Sequence, residues 1–468
     1  MLRDQIWNPS TVRRLARELG SIAARELTRR DGWVRPPDCM EKTKAILKRP
    51  VTPRNISKVV AQIADASLHI SHPRFAAQQV AAPVPVAALV ESVVAALNNS
   101  LAVWEMSPVG TAIDRDLFVR FKRLFRYPAT AEGSGVAGGA FASLTALLAA
   151  RAKLLPRAWT QGIGRMAVIA GAQTHYSISR AAGIMGLGSD SVFTIPLDEA
   201  YRTDPQKAAE AFRAARRAGF RKFVLVATCG STPTGSCDDL RAFARIARRE
   251  GAWLHVDAAH GGGLAFSRTH RHLLDGIERA DSLAFDPHKM LFMPLAAGAV
   301  LVRQGKNLRG AFEQNAPYLF GLSRREYPDI GPFTIACSQR MDALKTWLTW
   351  RAYSGRIWDE LVSAVCQVAR EAYDYCAHSK VLEPLHVPQS NILCIRVRNR
   401  AGNPKAQDRM NWNLKEAVNA GGRAYLSSTV LDGRRVLRMV VMNPRTTGND
   451  IVEVLKETER VARRLHAH

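Results

Sequence analysis

Residues 237–257 read CDDLRAFARIARREGAWLHVD, and this stretch decides the fold. Its first part opens on acid and closes on Gly251, the start and stop signals of a helix. AWLHVD follows at once, an apolar run of strand length that ends on an aspartate. The same alternation extends in both directions from about residue 139. RMAVIAG (165–171), SVFTIP (191–196), KFVLVAT (222–228), SLAFD (282–286) and AGAVLVR (297–303) read as strands, and SISRAAGIMG and DPQKAAEAFRAARRAG read as helices between them. Apolar strands alternating with amphipathic helices predict an α/β domain built on a largely parallel sheet. Helices are expected over 338–353 and 355–378. A βαββα-like tail follows, with NILCIRVR, RAYLSST and RVLRMVVM as its strands. Upstream, residues 83–100 and 112–125 have helical spacing, and residues 1–80 form a Pro-punctuated, partly helical arm. Three parts result: an arm over 1–80, a large domain over 81–354 and a small α/β domain over 355–468.

The chain has 468 residues, 47% hydrophobic and 23% charged, ordinary globular proportions. No apolar run reaches the roughly 18 residues that a membrane span needs. The longest, Ala81–Leu97, is broken by Pro83, Pro85 and Glu91. The N-terminus has no uninterrupted apolar segment of the signal-peptide kind, so a soluble, cytoplasmic protein is expected. Seven scattered cysteines without a C-x-x-C pair fit reduced thiols better than a disulfide framework or a metal site. HRH (270–272) lacks companion ligands and reads as surface, so no metal is expected. The formal charge of +25 is spread over arginine-rich helix faces, which fits a solvated surface better than a nucleic-acid site.

ADSLAFDPHKM (280–290) then raises a chemical question. Lys289 follows a strand end, where lysine is rarely buried without a partner. Asp257 stands at another strand end, and open α/β sheets bind ligands beyond the carboxyl ends of their strands. A lysine of this kind suits imine chemistry. A carboxylate fixed nearby can keep a heterocyclic nitrogen protonated. Pyridoxal 5'-phosphate uses that pair. The small residues AAHGGG after Asp257 let a planar ring approach the backbone, and His288 can donate to a phosphate oxygen. In GSGVAGGAFASLTALLAAR (133–151), small residues including Gly139 and Ala140 lead into a helix whose N-terminal amides attract an anion. The same glycines (Gly133, Gly135, Gly138) match G-x-G-x-x-G. No convincing strand precedes them and no acid follows at the required distance, so a dinucleotide site is rejected.

These segments, in this order, resemble the group II pyridoxal-phosphate-dependent amino-acid decarboxylases, among them the glutamate, aromatic amino-acid, histidine, cysteine-sulfinate and 2,4-diaminobutyrate enzymes. The resemblance runs from about residue 69 to the C-terminus. It includes SHPRF (71–75), ALNNSLAVWEMSP (96–108), THYSISRAAGIMGLG (174–188), ATCGSTPTGSCDD (227–239), CSQRMDALKTWLTWRAYS (337–354) and LRMVVMNPRTT (437–447). It implies the fold type I architecture of PLP-dependent transferases, with a mainly parallel seven-stranded sheet, and a homodimer with its site at the interface. Residue by residue it implies that Lys289 forms the internal aldimine and Asp257 binds the pyridine nitrogen. Ala259 packs under the ring, His175 stacks over its other face and Thr228 touches its edge. Asp286 and His288 lie near the phosphate, with Gly139 and Ala140 in the cradle. Arg438 meets the substrate's α-carboxylate, and Gln78 lies near a side-chain contact. Tyr327 stands near the mobile-loop tyrosine that reprotonates the substrate carbon. The implied reaction turns an L-amino acid into its amine and carbon dioxide.

The sequence departs from the family at the cradle. Ala140 and Phe141 stand where relatives usually carry a hydroxyl and a glutamate, and Ser143 where Asn or Thr is common, so the resemblance implies the loss of one or two hydroxyl bonds to the phosphate, roughly 1.5–3 kcal/mol each. His260 replaces a common aromatic. Two other readings stay open on the sequence: a PLP enzyme that couples decarboxylation to oxidative deamination or breaks another Cα bond, and a basic PLP-fold protein that acts on tRNA or is not a catalyst.

Overall fold

The computed structural model describes residues 6–312, 329–398 and 403–466. They form two compact units. The larger comprises 86–366 and 388–390; the smaller comprises the described parts of 1–85, 367–387 and 391–468.

The larger unit holds a seven-stranded sheet of β2 (Glu132–Val136), β3 (Ala167–Gly171), β4 (Val192–Ile195), β5 (Phe223–Thr228), β6 (Trp253–Ala258), β7 (Ser282–Phe285) and β8 (Gly298–Val302). Their order is β2-β8-β7-β6-β5-β3-β4. Only β8 runs against the rest, pairing antiparallel with β2 and β7. This is the expected mainly parallel sheet. β3, β5 and β6 are buried at every position, as a sheet covered on both faces demands. The decisive helix spans Leu240–Glu250. Asp239 caps it by accepting from the Ala242 amide at 2.9 Å, and Gly251 ends it at φ 62°. Its buried side chains include Leu240, Phe243, Ile246 and Ala247, a single apolar stripe. The helix Gly139–Leu154 is instead buried on all sides from Ala142 to Ala150, and its alanines allow close approach to the sheet.

The smaller unit has its own sheet, ordered β1-β11-β12-β10-β9, from β1 (Phe75–Ala76), β9 (Leu382–Pro384), β10 (Ile392–Val397), β11 (Tyr425–Leu431) and β12 (Arg434–Val440). β1 pairs parallel with β11, and Phe75 stacks on Tyr425 with ring centroids 5.8 Å apart. Helices Pro9–Thr28, Cys39–Lys48 and Ile56–Ala66 precede β1. Among the described residues, no helix is long and apolar enough to cross a membrane.

Three elements differ from the sequence reading. The helix expected over 83–100 is two short ones, Pro85–Leu89 and Glu91–Leu97, the second closed by Asn98 in the left-handed region at φ 47°. The helix expected from 338 begins at Ala343. The stretch EGSGV was not anticipated as a strand, because it has almost no apolar side chains; it is β2. Phe118 supplies the missing bulk: a Cβ on Gly133 would stand 2.3 Å from the Phe118 ring.

Asp114, on the helix Pro108–Leu124, is 2% exposed, and its Oδ2 has no hydrogen-bond partner among the described residues. Burial pushes its pKa up to about 6, against the opposing pull of Arg115. The folded value therefore exceeds the unfolded one. The contribution of this group to stability is full below the unfolded pKa and is lost as pH rises through about 6. Asp114→Asn is expected to stabilise the fold at pH 7–8 by on the order of 2 kcal/mol. That gain should shrink toward zero at pH 4. Denaturant titration at both pH values checks the sign and the trend.

Candidate active site

Strands β5, β6 and β7 run parallel, so their carboxyl ends share one edge, and the loops beyond that edge lie where open α/β sheets bind ligands. Thr228 closes β5 and is the register partner of Asp257 in β6. Asp286 follows β7, and the turn Asp286–Lys289 is closed by the Lys289 amide donating to the Asp286 carbonyl at 2.9 Å. His175, Thr228, Asp257, Ala259, Asp286, His288, Lys289, Gly139 and Ala140 all line one cavity of about 350 Å³. A neighbouring cavity of about 260 Å³ shares Ala137 and Phe141 with it, but its lining is mostly carbon and includes no lysine.

Asp286 is the centre of this wall. Its Oδ2 accepts from the Gly139 amide at 2.9 Å and lies 3.3 Å from Lys289 Nζ and 3.6 Å from His288 Nε2. Only glycine permits this approach, since a Cβ on Gly139 would stand 2.8 Å from Asp286 Oδ2 and 2.9 Å from Ala259 Cβ. Asp257 Oδ1 accepts from the Ala259 amide at 3.1 Å, which fixes the carboxylate at the strand end.

Both histidines have a defined proton position. The Ala297 amide donates to His288 Nδ1 at 3.1 Å, so the neutral ring carries its proton on Nε2. The Ser177 amide donates to His175 Nδ1 at 3.3 Å, with Ser177 Oγ at 2.9 Å, which gives the same tautomer. Burial lowers both histidine pKa values; nearby Asp257 partly opposes this at His175, and Asp286 does so at His288. Near neutral pH both rings are neutral.

Two expected site residues are not in this wall. Arg438 lies in β12 of the smaller unit, where its Nε donates to Ser427 Oγ at 3.2 Å and a terminal nitrogen reaches the Ala77 carbonyl at 3.4 Å. Gln78 is an exposed residue of the same unit. Tyr327 lies outside the described residues.

Sequence reasoning missed two supporting residues. Asp238 is buried, and its oxygens accept from the Thr203 amide at 2.7 Å and the Thr228 amide at 2.8 Å, tying the end of β5 in place. Burial raises its pKa to about 6, with those two amides pulling the other way. It read as part of a helix start, a role that its neighbour Asp239 fills. Ser177, which orients His175, lies within the quoted THYS and carried no sign of that role.

The residues fit pyridoxal phosphate. The cavity has the size of a cofactor site. Gly138, at φ 151°, and Gly139 open the 16-residue helix Gly139–Leu154, whose first amides and dipole suit a phosphate. Thr228 Oγ1 and Asp286 Oδ1 are buried without a hydrogen-bond partner among the described residues, polar atoms of the kind that a ligand satisfies. The cradle has no hydroxyl at 140 or 141, and Ser143 Oγ accepts from Ser177 Oγ at 3.5 Å. Backbone amides and His288 Nε2 are among the donors that a phosphate could meet there.

Comparison with known proteins agrees with this geometry. The family described as "Pyridoxal-dependent decarboxylase conserved domain" matches residues 41–397. The chain is 33% identical over 430 residues to L-2,4-diaminobutyrate decarboxylase of Rhizobium meliloti, covering 90% of this chain and 84% of that one. It is 30% identical over 492 residues to cysteine sulfinic acid decarboxylase of Rattus norvegicus, covering 99% of each. The crystal structure of mouse CSAD in apo form superposes with a TM-score of 0.90 at 27% identity, over 97% of this chain and 99% of that one. A lysine and a carboxylate at neighbouring strand ends, a glycine cradle at a helix start and a family match over most of the sequence converge on one conclusion: the chain belongs to the pyridoxal-dependent decarboxylases, lyases that use pyridoxal phosphate to remove carbon dioxide from an amino acid.

Proposed function

We propose that Lys289, Asp257 and His175 carry the decarboxylation, that His288, Asp286, Gly139, Ala140, Thr228 and Ala259 hold the cofactor, and that the substrate is an L-amino acid with a short side chain ending in a polar or charged group. The observation that carries the assignment of residues is the shared cavity in which Lys289 Nζ stands 3.3 Å from Asp286. When bound, pyridoxal phosphate supplies a conjugated ring that takes up the electron pair freed as carbon dioxide leaves. The protein supplies position and charge. Lys289 brings an amine into the cavity on a short turn. Asp257, held by the Ala259 amide, would offer its second oxygen to a protonated ring nitrogen, where a fixed negative charge stabilises the positive form. His175 presents a neutral imidazole, suited to stacking on a flat ring. Arg438, whose guanidinium is buried in the smaller unit, is the proposed partner of the substrate's α-carboxylate.

The substrate class is supported by the two relatives, which act on 2,4-diaminobutyrate and cysteine sulfinate. Both molecules carry a charged group within two carbons of Cα. Their charges are opposite in sign, so the shared chemistry is a short, polar side chain.

A homodimer is supported by exposed carbon at the cavities. Phe141, Leu295 and Ile335 are 49%, 61% and 53% exposed, and each lines one of the two cavities or both. Large apolar side chains grouped in this way call for a covering surface, and a second copy is the commonest one. A cytoplasmic setting is supported by the seven free cysteines.

Lys289→Ala should leave the purified protein colourless after incubation with pyridoxal phosphate and without activity. Asp257→Asn should keep the colour and lose roughly 10²–10³-fold in turnover. A yellow Lys289→Ala protein would assign the imine to another lysine. In a carbon dioxide release assay, 2,4-diaminobutyrate, cysteine sulfinate, aspartate and glutamate should contain the best substrate, ahead of tryptophan and phenylalanine. Preference for an aromatic amino acid would overturn the substrate class. Light scattering should give twice the chain mass of 51.5 kDa.

A further inference from the structure

Lys345 is a buried cation that the chemistry above does not use. Its side chain is 1% exposed, on the helix Ala343–Tyr353. Lysine is rarely buried so completely unless its ammonium is fully engaged. Here Nζ donates to Glu91 Oε1 at 2.6 Å, to the Ala296 carbonyl at 2.8 Å and to Asp342 Oδ1 at 3.5 Å. Glu91 is held in turn by Arg340 at 2.5 Å. Burial alone would raise the Glu91 carboxyl, but Lys345 and Arg340 outweigh it and keep the group below its ordinary value. Two of the three contacts are ion pairs with carboxylates. The third is to a main-chain carbonyl and has no charge to neutralise.

The location of that carbonyl is informative. Ala296 precedes Ala297, and Ala297 clamps His288 from both sides: its amide donates to His288 Nδ1 at 3.1 Å, and its carbonyl accepts from the His288 amide at 3.1 Å. The segment between Lys289 and β8 also contains Phe292 at φ 56°, a backbone conformation that a bulky residue keeps only where its surroundings hold it. Lys345 therefore grips, from 49 positions along the chain, the peptide that fixes the ring of His288. Burial keeps His288 neutral, and the positive charge of Lys345 adds to that effect.

We propose that Lys345 is a positioning residue for cofactor binding: through Ala296 and Ala297 it holds His288 with Nε2–H turned toward the Gly138–Gly139 cradle, and so sets how tightly the phosphate of pyridoxal phosphate is gripped. The proposal rests on the reading of His288 as a phosphate donor. It predicts a loss confined to the phosphate end of the cofactor, which a purely structural ion pair would not produce.

The test compares apoenzyme binding of pyridoxal phosphate and of pyridoxal, which lacks the phosphate, for the native chain, Lys345→Met, His288→Gln and the double variant. Lys345→Met should weaken pyridoxal phosphate about ten- to hundredfold, the usual size of losing a hydrogen-bonded support behind a ligand-binding group, and leave pyridoxal unchanged. The double variant should bind no worse than His288→Gln alone, because both losses act through one contact. Equal weakening of both ligands by Lys345→Met, or no weakening at all, would overturn the proposal. If His288→Gln itself fails to discriminate between the ligands, the reading of His288 falls and this inference falls with it, a result distinct from a discriminating His288→Gln beside a non-discriminating Lys345→Met. Should Lys345→Met not fold, Glu91→Ala removes the shortest contact of Lys345. A selective loss of pyridoxal phosphate binding in that variant supports the proposal, and an unselective loss or none rejects it.

Discussion

The site depends on one contact across the sheet edge: the Asp286 carboxylate at 2.9 Å from the Gly139 amide. Asp286 follows β7, and Gly139 begins the helix that leaves β2, so a single side chain joins the turn of the reactive lysine to the cradle at the helix start. The two segments are 147 positions apart in sequence. A carboxylate at a helix N-terminus is favourable, because the free amides and the dipole present positive charge there. The same carboxylate also faces Lys289 Nζ and His288 Nε2. Cradle, lysine and histidine thus refer to one fixed point, and Gly139 and Ala259 are small because that point must be approached closely.

Lys289 and Asp257 were legible in the sequence because strand ends are. A buried strand is a continuous apolar run, and a polar residue that interrupts it falls at the sheet edge, where parallel strands place ligands. The larger sheet was legible for the same reason: β3, β5 and β6 are buried throughout, β3 and β5 reading as apolar runs up to Thr228 and β6 as an apolar run that contains His255 and Asp257. β2 was not, because Phe118 on a helix packs into the space that strand side chains would otherwise fill, and a glycine strand has no pattern to read. Asp238 was hidden by its neighbour. Two consecutive acids before a helix look like one capping signal, yet only Asp239 caps, while Asp238 turns inward to two amides. Lys345 was hidden in a similar way, since its partners Glu91 and Ala296 lie 254 and 49 positions away. Local sequence carries propensity and period; it does not carry which distant carbonyl a lysine will meet.

The polar groups around the cavity fall into two sets that behave differently. Two groups behind the wall are satisfied, Asp238 by two amides and Lys345 by two carboxylates and a carbonyl. Those in the wall keep open valences, as at Thr228 Oγ1 and Asp286 Oδ1. An open valence at a buried atom is costly unless something fills it, whereas a completed network behind it resists rearrangement. This division is the physical form of preorganisation. The supporting residues spend their hydrogen bonds within the protein, and the lining residues hold theirs for a ligand.

That division also accounts for the altered cradle. With no hydroxyl at position 140 or 141, the donors proposed for the phosphate do not depend on those side chains: the first amides of the helix and His288 Nε2. An amide is positioned by the helix itself and survives substitution at its own residue, so long as the backbone keeps its course. His288 is positioned by Ala297, which accepts from its amide and donates to its Nδ1 at 3.1 Å each, and by Asp286, 3.6 Å from its Nε2. If His288 is a phosphate donor, as proposed, part of the weight at the phosphate end falls on that side chain, and with it on whatever holds it still. A site that has given up redundant contacts in its wall becomes more dependent on the rigidity of the layer behind.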